Sequence, residues 1–291
     1  MNKEVCKKFQ DVWTNLEYDS SSESYKFIND KYFIQYCTDG KCGEDIDKIN
    51  AGCLYLFNEI FGSPSSFSFI AKGNTNIVEY IMIWLSYMLS QTKSGENKSL
   101  NEVYTKHIEN DERYKKEITG VTAYKNYKDL IDKKEDLMSI YVKDMSKFYY
   151  VFTLLCMMYG EFDEKNLNCY SFSGIANDFA KEYDELNENY NNGKGSPYNQ
   201  LLSTLSNDYN NFKNKCNDAE FSNFPSLPTY SRRLVIKRTL IPIAFILVAV
   251  SILLGIAYKY SLLGFRKRSQ KQYLREKIKN IKKKLIINKL F

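Results

Sequence analysis

Cysteine is the residue type in this chain with the widest possible chemistry, since a thiol can form a disulfide, bind zinc or act as a nucleophile. The seven cysteines are Cys6, Cys37, Cys42, Cys53, Cys156, Cys169 and Cys216. Cys37 and Cys42 bracket the turn "TDGK", and with Cys53 downstream they suggest a zinc site. No CxxC pair and no pair of closely spaced histidines completes such a site, so the sequence favours disulfides over a metal.

Disulfides are expected only if the protein folds in an oxidising compartment, and in cytosol all seven thiols would stay reduced. Cys37 and Cys42 are the simplest local pair, because they lie across a glycine turn. The sequence leaves the other pairings open. Cys156 lies inside an apolar helical segment and is predicted to be the odd, buried thiol. The disulfide candidates are therefore Cys6, Cys37, Cys42, Cys53, Cys169 and Cys216.

Catalytic chemistry has little support in this sequence. The single histidine, His107, lies in the polar run "YTKHIENDE", where a surface position on a helix is expected. Its neighbours offer no motif for a serine or cysteine nucleophile. The chain also lacks a phosphate-binding loop and a dinucleotide-binding fingerprint. We therefore predict that the protein is not an enzyme and that it needs no cofactor.

Most of the chain shows the apolar spacing of α-helices, and no strand alternation stands out. The sequence predicts an all-α helical bundle over residues 1–220, beginning with an amphipathic stripe from Val5 to Leu16. Residues 18–45 are the least helical part. Four segments are predicted to form the core, namely 45–61, 77–90, 148–159 and 197–216. Further helices are predicted over 98–118, 125–145 and 172–190.

A long apolar run near the C-terminus predicts a single transmembrane helix over 239–263, after a stalk over 221–238 with two prolines. The segment "LIPIAFILVAVSILLGIAYKYSLL" is long enough to cross a hydrocarbon core of about 30 Å. Lys259 lies between Tyr258 and Tyr260 near its far end. A lysine flanked by tyrosines is typical of the membrane interface.

The last segment, 264–291, is predicted to be a basic helical tail in the cytoplasm. Leu274, Ile278, Ile281 and Leu285 form an apolar stripe among many basic residues. A basic amphipathic helix beside a membrane span is expected to bind an anionic leaflet, although a solvated charge run that only sets topology explains the sequence nearly as well. The basic residues expected to face lipid are Arg266, Lys267, Arg268, Lys271, Arg275, Lys277, Lys279, Lys282, Lys283 and Lys284.

The uneven charge bears on both partner and orientation. Residues 1–258 contain 29 basic and 34 acidic groups, whereas Lys259 and the residues after it contain 12 basic groups and one acid. No nucleic-acid partner is expected for an acidic folded domain. The larger positive excess should remain cytosolic, which places the helical domain outside. The N-terminus has no apolar core of a signal peptide, so a tail-anchored protein with its helical domain in cytosol is the alternative.

Five stretches of the sequence are distinctive, namely "DIDKINAGCLYLFNEIFG", "NIVEYIMIWLSYMLS", "SPYNQLLSTLSNDYNNFKNKC", "FPSLP" and "YKYSLLGFRKRSQKQYLREKIKNIKKK". They resemble the Plasmodium interspersed repeat variant antigens, in particular the Cir/Yir/Bir group of rodent malaria parasites. The resemblance implies an exported membrane protein of the infected red cell with roles in antigenic variation, immune evasion and host interaction. It assigns no individual binding residues. The R-x-L-x-[EDQ] export motif is absent from this sequence.

Two functions therefore follow from the sequence. The first is an exported, single-span variant surface antigen whose partners are the membrane and an unidentified host protein or antibody. The second is an intracellular membrane-anchored scaffold whose helical domain binds parasite proteins. Disulfides distinguish them, because the first requires an oxidising exterior and the second does not.

Overall fold

The structure is a computed structural model that describes residues 1–92, 95, 98–162, 169–189, 191–216, 224–228 and 240–287. For residues 261–266 and 281–287 it describes the backbone only. The chain forms two units, Met1–Ser231 and Arg232–Phe291. Most of the predicted stalk, 221–238, lies outside the described residues.

The first unit is built mainly from helices, as the sequence predicts. Its longer helices are α1 (Lys3–Asn15), α2 (Asp45–Phe61), α4 (Ile77–Ser90), α9 (Phe148–Glu161), α10 (Ser173–Asn187) and α11 (Pro197–Cys216). Shorter helices are α3 (Pro64–Phe69), α5 (Leu100–His107), α6 (Glu112–Lys115), α7 (Tyr127–Asp132) and α8 (Val142–Met145). The four predicted core segments thus correspond to α2, α4, α9 and α11.

Helix α9 lies in the middle of the core, where it packs against α1, α4, α10 and α11. Aromatic side chains make much of this packing. The Phe152 ring lies 4.7 Å from the Phe9 ring of α1 and 4.9 Å from the Tyr80 ring of α4, measured between centroids. Helices α2 and α4 approach closely at Gly52, where an added Cβ would lie 2.7 Å from the Trp84 ring. A side chain at Gly52 would therefore force the two helices apart.

One part of the fold was not predicted from the sequence. Strands β1 (Leu16–Asp19) and β2 (Ser24–Phe27) form an antiparallel hairpin in which Leu16 pairs with Phe27. Each strand has four residues, which is too short to show a clear period of two. Tertiary contact stabilises the hairpin, because the buried Tyr25 donates a hydrogen bond of 2.7 Å from its hydroxyl to the Met88 carbonyl oxygen.

Two predicted helices, 98–118 and 125–145, are each broken in the structure. The first ends at His107, and the Asp111 side chain then caps α6 by accepting a hydrogen bond from the Arg113 amide in its first turn. Asparagine and aspartate side chains often interrupt helices in this way. The second break follows from a long-range β-bridge between Ser99 and Tyr141, which holds the backbone extended before α8.

In its described residues the second unit contains one continuous helix, α12 (Ile241–Ile287), of 47 residues. The sequence predicts a transmembrane helix that ends at residue 263 and a separate helical tail after it. The structure has no break there. After Pro242 the helix contains no proline, and each of its two glycines, Gly255 and Gly264, weakens a helix by only about 1 kcal/mol.

Candidate functional site

Six of the seven cysteines form three pairs, all in the first unit. Cys6 of α1 bonds to Cys156 of α9 with a Cα–Cα distance of 5.2 Å. Cys169 bonds to Cys216 at the end of α11, with Cα atoms 5.7 Å apart. Cys37 bonds to Cys42 with a Cα–Cα distance of 5.0 Å. This last pair is the local one considered from the sequence. Two of the bonds join distant elements, α1 to α9 and the segment before α10 to α11, whereas Cys37–Cys42 closes a short loop before α2.

The prediction for Cys53 and Cys156 was wrong, since their roles are exchanged. Cys53, a disulfide candidate, is a free and buried thiol on α2, whereas Cys156, the predicted free thiol, bonds to Cys6. The apolar face of α9 that carries Cys156 packs against α1, which brings the two sulfurs together from positions 150 residues apart. Burial raises the pKa of the Cys53 thiol to about 12, so this cysteine is protonated and unreactive.

The Cys37–Cys42 segment is anchored to the domain by Arg113, which is the one arginine before Arg232. Its guanidinium donates to the Tyr36 carbonyl oxygen and pairs with Asp111, where Nη2 lies 2.5 Å from Oδ2. Burial by itself raises the pKa of the Asp111 carboxyl, but hydrogen bonds from Arg113 outweigh this effect and lower the pKa. Arginine suits this position because one planar group can bond a carboxylate and a carbonyl together.

His107 does not lie in a catalytic arrangement. It is the last residue of α5 and is partly buried, and burial lowers its pKa. Lys98, Lys106 and Glu44 lie around the same shallow cavity. Charged side chains of both signs are typical of a solvated surface. Among the residues that the structure describes, no group of three or more His, Cys, Asp or Glu side chains could hold a metal ion.

Large apolar side chains exposed on the first unit lie on several elements, and α9 carries two of them. They are Ile28, Ile34, Phe69, Tyr141, Tyr150, Met157 and Tyr170. Scattered apolar residues are normal on protein surfaces, whereas a binding site usually has a contiguous patch. These residues therefore do not single out a ligand site.

The candidate membrane anchor is the N-terminal part of α12, Ile241–Tyr260, with 20 residues and a mean hydropathy of 2.6. None of this segment is buried within the protein. At about 1.5 Å per residue it is roughly 30 Å long, which matches the hydrocarbon thickness of a bilayer. Tyr258, Lys259 and Tyr260, the predicted interface residues, are the last three residues of the segment, and both tyrosines are exposed.

The basic tail continues directly from the anchor along α12. Every side chain described between residues 267 and 280 is exposed, including Leu274 and Ile278 of the apolar stripe. The basic residues in this exposed part are Lys267, Arg268, Lys271, Arg275, Lys277 and Lys279. The side chains of Arg266, Lys282, Lys283 and Lys284 lie outside the described set. The tail thus presents positive charge and an uncovered apolar stripe on one helix.

The family model for the Plasmodium variant antigen protein Cir/Yir/Bir matches residues 6–259. The chain belongs to this family. The match includes the helical unit and nearly all of the apolar segment. A solved structure titled "Structure of a Plasmodium PIR protein ectodomain" is similar to this chain, with 32% sequence identity and a TM-score of 0.60. The similarity covers 79% of this chain and 97% of the other.

No curated protein matches the chain. Family membership and the one candidate span found among the described residues nevertheless agree with a single-pass membrane protein of a variant antigen family. The variant antigens are not an enzyme class. The functional features of the chain are thus the cystine-linked helical unit, the anchor and the basic tail.

Proposed function

We propose that the protein is an exported, single-span variant surface antigen of the infected red cell. In this proposal Met1–Ser231 is the ectodomain and serves in antigenic variation, immune evasion and contact with host molecules. It has no catalytic activity. The observation that carries the proposal is the set of three cysteine pairs in this unit. Such pairs persist in an oxidising exterior and would be reduced in cytosol.

The charge distribution supports the orientation. The tail 264–291 contains 11 basic residues and a single acid, Glu276. Only four basic residues, Arg232, Arg233, Lys237 and Arg238, precede the span closely. Because the more positive flank is retained in the cytoplasm, the ectodomain lies outside. The similar structure is itself described as an ectodomain, which agrees with this assignment.

The architecture of the ectodomain suits a protein whose surface must vary. Its interior is held by aromatic contacts and cystines, such as the Phe9–Phe152 contact and the Cys6–Cys156 bond. Connecting segments on the surface tolerate substitution much better than such a core does. The surface can therefore change between copies while the helices and disulfides preserve the fold.

Protease treatment of intact infected cells tests the proposal. With separate epitope tags before Lys3 and after Phe291, trypsin should remove the N-terminal signal and leave the tail signal in a shortened membrane fragment. Permeabilised cells are the matched control, in which both signals should be lost. Protection of both tags in intact cells would instead support the intracellular scaffold. Loss of the C-terminal tag alone would show that the protein has the opposite orientation, with its tail outside.

A further inference from the structure

The tail contains a serine that follows three basic residues. Ser269 lies in the sequence "FRKRSQKQ", three residues after Arg266 and directly after Lys267 and Arg268. Protein kinases that select basic substrates recognise such a pattern, because carboxylates in their substrate cleft pair with arginine. We propose that Ser269 is a phosphorylation site that controls contact between the tail and an anionic leaflet. This inference rests on the proposed cytoplasmic position of the tail.

The local structure leaves Ser269 accessible to an enzyme. Its side chain is exposed, and so are all the described side chains of the surrounding segment 267–280. An exposed helix without tertiary packing opens locally at little cost, because only its own backbone hydrogen bonds hold it together. The segment around Ser269 can therefore take the extended form that a kinase cleft accepts.

Helical geometry places Ser269 opposite the apolar stripe. With 3.6 residues per turn, Leu274 and Ile278 lie about 140° and 180° around the helix axis from Ser269. Glu276, the single acid of the tail, and Asn280 lie within about 20° of Ser269. When a bend at Gly264 lays the stripe against lipid, Ser269 consequently faces water on the side of the helix that carries Glu276. A kinase can reach it while the tail is bound.

The modification is a phosphoryl transfer from a nucleoside triphosphate. The Ser269 hydroxyl oxygen bonds to the γ-phosphorus, the bond between that phosphorus and the bridging oxygen breaks, and nucleoside diphosphate leaves. The hydroxyl proton passes to the base of the kinase. The phosphate adds about two negative charges to a strongly basic segment. Since each basic group near an anionic surface contributes to binding, leaflet occupancy by the tail should fall on the order of tenfold or more.

The first test uses the full-length protein in vesicles of phosphatidylcholine and phosphatidylserine (7:3), with the tail on the outer side. A purified kinase of basic specificity and ATP are added, and phosphopeptides are mapped by mass spectrometry. Phosphate should be found on Ser269 and be absent in Ser269→Ala. Arg266→Ala should slow the reaction on the order of tenfold. Ser261→Ala, whose serine lacks an arginine three residues before it, is the matched control and should not change phosphorylation of Ser269.

The second test measures contact with lipid as the rate at which trypsin cleaves after Lys277 in the same vesicles. Phosphorylated protein and Ser269→Asp should be cleaved faster than wild type, by about tenfold for the phosphorylated form. Ser269→Ala should match wild type. In vesicles of phosphatidylcholine alone the differences should disappear, because the anionic surface is gone.

Absence of phosphate on Ser269 in the kinase reaction would overturn the site. Equal cleavage of phosphorylated and unmodified protein on anionic vesicles would overturn the switch. Both failures are distinguishable from failure of the proposed topology. A tail that protease removes from intact infected cells refutes the topology, whereas a protected tail without phosphate refutes only this inference.

Discussion

Removing the Cys6–Cys156 disulfide should destabilise the helical domain more than removing either of the other two. In the chain-entropy model, a disulfide stabilises the folded state because it reduces the number of conformations that the unfolded chain can adopt. The effect grows with the length of the closed loop. Cys6–Cys156 closes a separation of 150 residues and is worth about 5 kcal/mol. Cys169–Cys216, with a separation of 47, is worth about 4 kcal/mol.

Cys37–Cys42 has a separation of only 5 residues and is worth about 2 kcal/mol by the same reasoning. Domains of this kind have unfolding free energies of about 5–15 kcal/mol. Loss of the disulfide that closes the longest loop therefore removes a large share of the unfolding free energy. Loss of the disulfide that closes the shortest loop leaves a folded protein. Both residues of the Cys6–Cys156 pair are buried, as are Cys169 and Cys216, so lost packing adds to the entropic cost of removing either bond.

Urea unfolding of residues 1–231 measures this order. The variants are Cys6→Ala with Cys156→Ala, Cys169→Ala with Cys216→Ala, and Cys37→Ala with Cys42→Ala, each removing both partners so that no new free thiol remains. Unfolding should be followed by circular dichroism, with the slopes compared so that changes in the unfolded state are detected. A Cys37–Cys42 variant that loses as much free energy as the Cys6–Cys156 variant would refute the loop-length reasoning.

Three further predictions concern the Lys134–Glu79 pair, the free thiol of Cys53 and the basic tail. Lys134→Ala should cost about 3–5 kcal/mol of unfolding free energy, because it removes the 2.6 Å ion pair with the buried Glu79 carboxylate. The Oε2 atom of Glu79 already lacks a hydrogen-bond partner among the described residues. Lys128→Ala, in a more exposed pair with Asp132, is the control and should cost less than about 1 kcal/mol; equal costs would contradict the argument. Cys53 should resist iodoacetamide at pH 8 in the native domain, since burial raises the pKa of its thiol to about 12, and it should react after unfolding in urea. Rapid labelling of the native domain would contradict this prediction, because it would show that the thiol is accessible. Changing the four lysines 279 and 282–284 to Glu should weaken binding of a 264–291 peptide to anionic vesicles by several kcal/mol, and Asn280→Gln is the control. If the wild-type peptide binds neutral and anionic vesicles equally well, the contact between tail and membrane is not electrostatic.

Helices with strong apolar spacing were predictable from the sequence. Segment 77–90 is apolar on nearly every side and agrees with Ile77–Ser90 of α4. Ser196, Pro197 and the repeating apolar face likewise indicated the start and length of α11, which ends at Cys216. In these helices local propensity and burial favour the same structure, so the pattern is sufficient.

Features that depend on distant partners were not predictable. The bridge between Ser99 and Tyr141 breaks a segment that reads as one helix, and the hairpin at Leu16–Phe27 depends on contacts such as that of Tyr25 with Met88. The Cys6–Cys156 bond joins positions brought together only by packing of α1 on α9. Periodicity describes one face of one element and carries no information on which element will cover it.

The anchor and tail show a different limit. The composition identified both segments, but it did not show whether the helix ends between them. The structure continues α12 through Gly264 to Ile287. A tail that lies flat along the leaflet therefore requires a bend that the continuous helix does not contain. Gly264 is the natural position for such a bend, since glycine weakens a helix.

The most direct test of the proposed surface antigen is the number of free thiols in the protein taken from infected cells. The cells are lysed in denaturant with an alkylating reagent and without reductant, and the modified cysteines are counted by mass spectrometry. An ectodomain that matures in an oxidising compartment should have one alkylated cysteine, Cys53, with the other six in disulfides. Alkylation of all seven would contradict the account and place the helical domain in a reducing compartment.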